Sequence, residues 1–310
     1  MKKIITIVGP TASGKTSLAV KLSKKLNAEV ISLDSRQLYN GMPIGTAQPT
    51  DKEMEGIPHH LIGFSDPKEP VSAGSYAKLV IDKVRFIQDN GKVPIICGGA
   101  GLYYRAIKRG IFKDSISDKG LREKLERSYD EDSIALMEKL KIIDPDYADI
   151  VHINNKKRLV RALEIFGATG RSPSDHFNEQ SFNPSQCLDL FTVVLDWERE
   201  NLIKRIEIRL EQMLSLGWVE EVNGLLEKQN KGPSYYPALN SIGYSQIQSY
   251  LNGEKNYDKM KEEILIKTRQ FARRQRQWFK KENTELLLRM DTLEINEIVQ
   301  ILSGLFRVII

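Results

Sequence analysis

The chain has 310 residues, 41 % of them hydrophobic, and a formal net charge of +5. That is enough apolar material for one large or two moderate domains with a real core, and no run of eighteen apolar residues offers a membrane-spanning helix. Cys97 and Cys187 stand alone, without Cys-x-x-Cys or His-rich spacing, which argues against zinc or a disulfide framework and for reduced, buried thiols in a cytoplasmic protein.

The first predicted element is a strand, Ile4–Val8. Its apolar stretch is too short for a signal peptide, and cleavage there would destroy the motif on its carboxyl side. That motif is Gly9-Pro10-Thr11-Ala12-Ser13-Gly14-Lys15-Thr16, after which Leu18, Leu22 and Leu26 recur at helical spacing. Strand, G-x-x-x-x-G-K-[ST] and helix together form a phosphate-binding loop. The glycines let backbone N–H groups turn inward, the helix adds its positive end, and Lys15 adds a full charge. The Thr16 hydroxyl is placed to hold Mg²⁺. Nothing in the motif says whose phosphates these are.

A second strand, Glu29–Leu33, ends in Asp34-Ser35-Arg36-Gln37. Ligands of parallel sheets bind at the carboxyl ends of strands, so Asp34 belongs beside the phosphate site. A turn cap, a catalytic carboxylate and a magnesium ligand all remain open for it. His59-His60 lacks a third ligand at metal spacing and reads as structural. The third strand, Val93–Cys97, leads into Gly98-Gly99-Ala100-Gly101-Leu102-Tyr103, where glycines imply a tight turn or a close approach to a ligand.

From 115 to 186 the pattern is helical without strands, with helices over Asp118–Ser128, Asp132–Leu140 and Asn155–Phe166 and a mobile return linker over Thr169–Ser185. The basic knot Lys156-Lys157-Arg158, with Arg161, opens the third of these. A fourth strand, Leu190–Leu195, precedes an amphipathic helix striped by Leu202, Ile206, Leu210 and Met213 and flanked by Arg205 and Arg209, with a break at Gly217. Taken alone, Arg209 reads first as an exposed helix residue in an ion pair with a neighbouring Glu, with ligand binding the second reading. From Lys267 to Lys281 seven cations and no acid alternate with Phe271, Trp278 and Phe279. A helix of this kind, carrying Arg273, Arg274 and Arg276, points to nucleic acid. A last strand is expected over Glu285–Leu288. The fold class is therefore α/β: a P-loop NTPase-like parallel sheet in two parts, 1–114 and 187–310, with an inserted all-helical subdomain at 115–186.

The motifs GPTASGKT, DSRQLYNGMPIGTAQP, IPHHLI, GGAGLY, RALEIFGATGRSP, RIEIRLEQMLSLGWVEEV, ALNSIGY and TRQFARRQRQWF, in this order along nearly the whole chain, resemble the tRNA dimethylallyltransferase (tRNA isopentenyltransferase) family. The resemblance implies transfer of a dimethylallyl group from dimethylallyl diphosphate to N6 of adenosine 37 in the anticodon stem-loop of tRNA, with Mg²⁺. It assigns the loop Gly9–Thr16 to the diphosphate, adds Thr11 and Arg209 as diphosphate contacts, and makes Asp34 the general base. Ser35, Arg36 and Gln37 would help Asp34 hold the target nucleotide. Ala100, Arg122 and Lys157, Arg158, Leu159, Val160 and Arg161 match positions that touch RNA. The chain departs from the family at Ala100, usually Thr, and at Pro43, Gln48 and Gly63, usually Asp, Lys and Asp. A cytoplasmic monomer is expected. The competing readings are a P-loop small-molecule or nucleoside kinase, an adenylate isopentenyltransferase acting on free nucleotide, and a non-catalytic RNA binder.

Overall fold

The computed structural model describes residues 3–110, 118–182, 187–231 and 235–309. They begin with β1 (Ile4–Val8), α1 (Lys15–Leu26), β2 (Ala28–Leu33), α2 (Asp51–Met54), β3 (His59–His60), α3 (Ala73–Asp89), β4 (Val93–Gly98) and α4 (Gly101–Arg109). Five helices come next: α5 (Lys119–Glu131), α6 (Ser133–Ile143), α7 (Pro145–Ile150), α8 (Lys156–Thr169) and α9 (Pro173–Phe182). The chain returns through β5 (Leu190–Asp196), α10 (Arg199–Ser215), α11 (Trp218–Asn230), a 3₁₀ turn at Pro237–Asn240, α12 (Tyr244–Leu251), α13 (Tyr257–Phe279), β6 (Leu286–Arg289) and α14 (Ile295–Ile309).

Two compact units result, Met1–Lys108 with Leu188–Ile310, and Arg109–Cys187. The boundaries expected at 114/115 and 186/187 involve residues 114–117 and 183–187, most of which lie outside the described residues.

The larger unit is built on one sheet of order β3-β2-β4-β1-β5-β6 with every pairing parallel. Its inner strands are continuous runs of buried, largely β-branched residues, as a sheet covered on both faces requires. Alternation still sorts the two faces. Ile5 and Ile7 join Leu18 and Leu22 of α1 and Ile298, Leu302 and Phe306 of α14 in one core. The polar Thr6 and Thr192 on the inner strands are satisfied locally: Thr6 donates to the Ile4 carbonyl, and Thr192 meets the Tyr104 hydroxyl of α4 at 3.0 Å. Because all strands are parallel, the segments after β1, β2, β4 and β5 gather at one sheet edge.

In the Arg109–Cys187 unit, Asp118, Asp132, Asp144 and Asn155 each cap a helix with a side-chain oxygen. Leu140, Leu159, Val160 and Leu163 sit at the centre of its own apolar core. The linker expected over Thr169–Ser185 is corrected by α9: Ser172 caps it, Pro173 opens it, and the Asp144 carboxylate docks it by accepting from Ser174 N (2.7 Å) and Oγ (2.8 Å). Residues 183–185 of that segment lie outside the described residues. The sequence pattern also gives no sign of β3, which is only two residues long.

Three of the family motifs meet around one side chain. Trp218, 2 % exposed, opens α11 and lies against Gly45 and Gly243, neither of which has room for a Cβ. Glu221, one turn later, accepts from Ile44 N (2.7 Å), Gly45 N (3.0 Å) and the Tyr244 hydroxyl (2.6 Å). Replacing Trp218 with Ala empties this joint, and urea unfolding should show a loss of about 3–5 kcal/mol; a change under ~1 kcal/mol would contradict the wedge.

Candidate active site

The loop Gly9–Thr16 leaves β1 and enters α1 through Gly14, whose φ of +89° caps the helix in the left-handed region. Ala12 also holds a left-handed φ of +62°, uncommon for a residue with a Cβ, and strain of this kind persists only where neighbours impose it. The neighbours are visible. Lys15 Nζ donates to the Pro10 carbonyl at 2.6 Å, Arg205 Nε to the Ala12 carbonyl at 2.7 Å, and the Trp197 indole to the Ser13 carbonyl at 3.0 Å. The Arg205 guanidinium in turn lies over the Trp197 ring, 4.4 Å from its centroid. Arg209 Nη1 donates to Thr11 Oγ1 at 3.2 Å.

Burial drives the Lys15 ammonium down to a pKa of about 8, the nearby Arg209 adding to the effect while Cys97 and Asp34 oppose it. Burial also lowers the Arg209 pKa from its ordinary value, and Asp34 and Glu53 oppose that shift. Two desolvated cations converge on one loop, and among the described residues no carboxylate is bonded to either, which is the electrostatic signature of an anion site. Ser13 supports it: its hydroxyl is fully buried and has no hydrogen-bond partner among the described residues.

Asp34 comes directly after β2 and faces this cluster closely enough to act electrostatically on Lys15 and Arg209. Its Oδ1 accepts from the backbone N–H of Arg36 (2.8 Å) and Gln37 (3.3 Å), a turn cap, while Oδ2 makes no hydrogen bond among the described residues. The turn cap thus occupies one carboxylate oxygen and leaves the other unengaged by the described residues. The strand end carrying it is braced by Tyr76, whose hydroxyl donates to the Ser32 carbonyl at 2.6 Å and whose ring stacks on Tyr103 at 4.3 Å.

The glycine segment after β4 needs its glycines for protein contacts. A Cβ on Gly98 would strike the Leu33 backbone, one on Gly99 the Gln275 side chain, and one on Gly101 the Trp278 indole. Ala100 N donates to the Leu33 carbonyl at 3.1 Å, tying the segment to the strand end before Asp34.

Several sequence assignments need correction. Gln37 has framework partners: its Oε1 accepts from Ser32 Oγ (3.2 Å) and its Nε2 donates to the Ala47 carbonyl (2.7 Å). Arg276 is bound to Asp196 through Nε (2.7 Å) and Nη2 (2.9 Å), so it does not join Arg273 and Arg274, which are exposed. Leu159 and Val160 are buried in the helical core and present no side chain to a ligand. Arg122 and Arg161 both pair with the fully buried Glu164 carboxylate, each at 2.8 Å. Lys157 and Arg158 are exposed on α8, and Arg36 is exposed beyond Asp34. Gln48 bonds the carbonyls of Gln37 and Tyr39, a framework role. Sequence reasoning missed Gln275, Trp197 and, as a loop contact, Arg205. Only Arg205 carried a readable signal, its position one helical turn before Arg209.

Comparison with known proteins fits this geometry. The profile of the IPP transferase family (IPPT) matches residues 37–282. The chain belongs to this family. A tRNA dimethylallyltransferase of Acetivibrio thermocellus is 38 % identical over 299 residues, covering 96 % of this chain and 95 % of the relative. Among solved structures, the full-length tRNA isopentenylpyrophosphate transferase of Bacillus halodurans superposes with a TM-score of 0.71 at 35 % identity, over 99 % of this chain and 97 % of that one. A eukaryotic dimethylallyltransferase acting on tRNA reaches a TM-score of 0.82 at 28 % identity, over 99 % of this chain and 80 % of that one. As an IPP transferase the chain is an enzyme with the expected P-loop-like α/β core. Among its described residues no helix is long and apolar enough to cross a membrane.

Lys15 must be charged to hold a diphosphate. Its lowered pKa predicts that affinity for a diphosphate monoester is constant from the ligand's last ionisation up to about pH 8 and falls about tenfold per pH unit above it. Calorimetric titration from about one unit below that value to about one and a half above it measures this, and Lys15→Arg should remove the fall.

Proposed function

We propose that this protein transfers the dimethylallyl group of dimethylallyl diphosphate to N6 of adenosine 37 in tRNA, working as a cytoplasmic monomer. The observation that carries the reading is the meeting, at one sheet edge, of a two-cation anion site with a carboxylate that keeps one oxygen unpartnered among the described residues. Breaking the allylic C–O bond places positive charge on the prenyl carbon and negative charge on the departing diphosphate. Lys15, Arg209 and the inward amides of the loop stabilise that leaving charge. The N6 amino group forms the new C–N bond and loses one proton, which Asp34 Oδ2 accepts. The buried Ser13 hydroxyl and the Thr16 side chain fit a magnesium diphosphate; Thr16 would hold Mg²⁺, which would neutralise part of the leaving group's charge.

N6 is inaccessible in a stacked loop, so the adenosine has to be turned out of the stack before reaction. Arg273 and Arg274 on α13, Arg36 beyond β2, and Lys157 and Arg158 on α8 are exposed cations that support an RNA partner. A kinase reading leaves the α13 cations without a purpose, and the names of the relatives favour tRNA over free nucleotide.

The direct test tracks labelled dimethylallyl groups from the diphosphate into unmodified tRNA, with AMP as control. Label in tRNA alone is expected; label in AMP, or ATP-dependent phosphoryl transfer in its place, would overturn the reading. Asp34→Ala should lower kcat at least about a hundredfold while leaving the Kd values of tRNA and pyrophosphate within about threefold. Arg273→Gln with Arg274→Gln should weaken tRNA binding and flatten its log–log salt slope by about one per lost cation; an unchanged slope would remove α13 from the RNA contact.

A further inference from the structure

Gln275 is a side chain that touches both halves of the site. It lies on α13 and is 6 % exposed. Its Oε1 accepts from the backbone N–H of Thr11 at 2.8 Å, within the phosphate loop, and its Nε2 donates to the Gly99 carbonyl at 3.0 Å, at the end of β4. Gly99 has no Cβ to obstruct this contact, and one would collide with Nε2. A buried carboxamide paired at both ends is costly to unpair, so the two loops are held in one arrangement.

The same turn of α13 borders a cavity of about 250 Å³, which Gln275 and Gly99 themselves help to line. Phe271, Arg274 and Trp278, four before, one before and three after Gln275, line it together with Ser35 and Ala100. Aromatic faces beside a guanidinium suit a stacked nucleobase and its phosphate. Trp278 is fixed in turn by Arg105, whose guanidinium lies 4.4 Å from the ring centroid and pairs with the buried Glu282. One helix therefore lines the cavity with four residues, and one of the four, Gln275, also grips the diphosphate loop.

We propose that Gln275 is a positioning residue that couples RNA binding to diphosphate binding. The inference rests on the RNA contact of α13 proposed for the transfer reaction. A nucleotide seated against Phe271, Arg274 and Trp278 fixes α13; the carboxamide transmits that to the Thr11 amide, and Thr11 carries the hydroxyl bonded by Arg209. The adjoining Ala12 is held at positive φ, a conformation that persists only where its neighbours impose it, and the Gln275 contact to Thr11 is one residue away. Each ligand then favours the same loop arrangement, and each tightens the other by the same factor.

The test uses inorganic pyrophosphate with Mg²⁺ and an anticodon stem-loop RNA, titrated calorimetrically alone and in each other's presence. In the wild-type protein the RNA should tighten pyrophosphate at least about fivefold, and pyrophosphate should tighten the RNA equally. Gln275→Leu removes both bonds; Gln275→Asn keeps the carboxamide but is one methylene too short to span Thr11 and Gly99. Both should reduce the coupling to under about twofold, and the Asn variant carries the test if the Leu variant is unstable. Coupling retained in a folded variant, or absent from a wild-type protein that binds both ligands, overturns the proposal. If the wild-type protein binds pyrophosphate but no RNA, the RNA reading fails and this inference with it; if tRNA is prenylated without coupling, the inference alone fails.

Discussion

A phosphate loop works only when its backbone amides converge, and converging amide dipoles repel one another. The carbonyls at their backs must therefore be held outward. In this protein three different side chains do so: Lys15 holds Pro10, Arg205 holds Ala12, and Trp197 holds Ser13. Two of the three are remote in sequence, 184 positions from loop to Trp197 and 193 to Arg205. Trp197 comes directly after β5, and Arg205 lies on the second turn of α10. The parallel order of the sheet is what brings them there, because β5 is the immediate neighbour of β1. Sheet topology, helix placement and loop geometry are thus one constraint seen at three scales.

The cations show what that constraint costs. Lys15 and Arg209 are desolvated, and both are shifted toward their neutral forms. Elsewhere the protein compensates buried charge with pairing: Asp196 has Arg276 and Arg289, Glu164 has Arg122 and Arg161, and Glu29 has His60 and Lys92. At the phosphate loop no carboxylate among the described residues bonds either cation. The contrast separates functional from structural charge more sharply than exposure does. It also explains why Arg276, which by sequence joins a basic RNA face, belongs to the framework.

The fold is largely legible in the sequence because its signals are local. Strands β1, β2, β4, β5 and β6 show as apolar runs, with ends shifted by a residue or two, and the break at Gly217 shows as its glycine. The α9 helix is readable in principle from Ser172, Pro173 and Asp175, but Ser, Pro and Asn suggest a linker more strongly. Of the site, Asp34 and the loop are readable because a strand end and a motif locate them. Gln37, Arg276, Leu159 and Val160 have framework partners that the sequence does not show, because adjacency along the chain says nothing about which partner a side chain has taken. Gln275 is not readable at all. Its two bonds reach Thr11 and Gly99 across separations of 264 and 176 residues, and no spacing rule spans those.

Cys97 shows how burial governs reactivity beside the loop. The thiol lies near the end of β4 within electrostatic reach of both Lys15 and Asp34. Burial nevertheless pushes it up to about 12, against the pull of the lysine, so it stays protonated and enclosed. An allylic diphosphate is an alkylating agent, and sulfur is a softer target than an aromatic amine. Enclosing a thiol so near the loop keeps its sulfur in the protonated, weakly nucleophilic form.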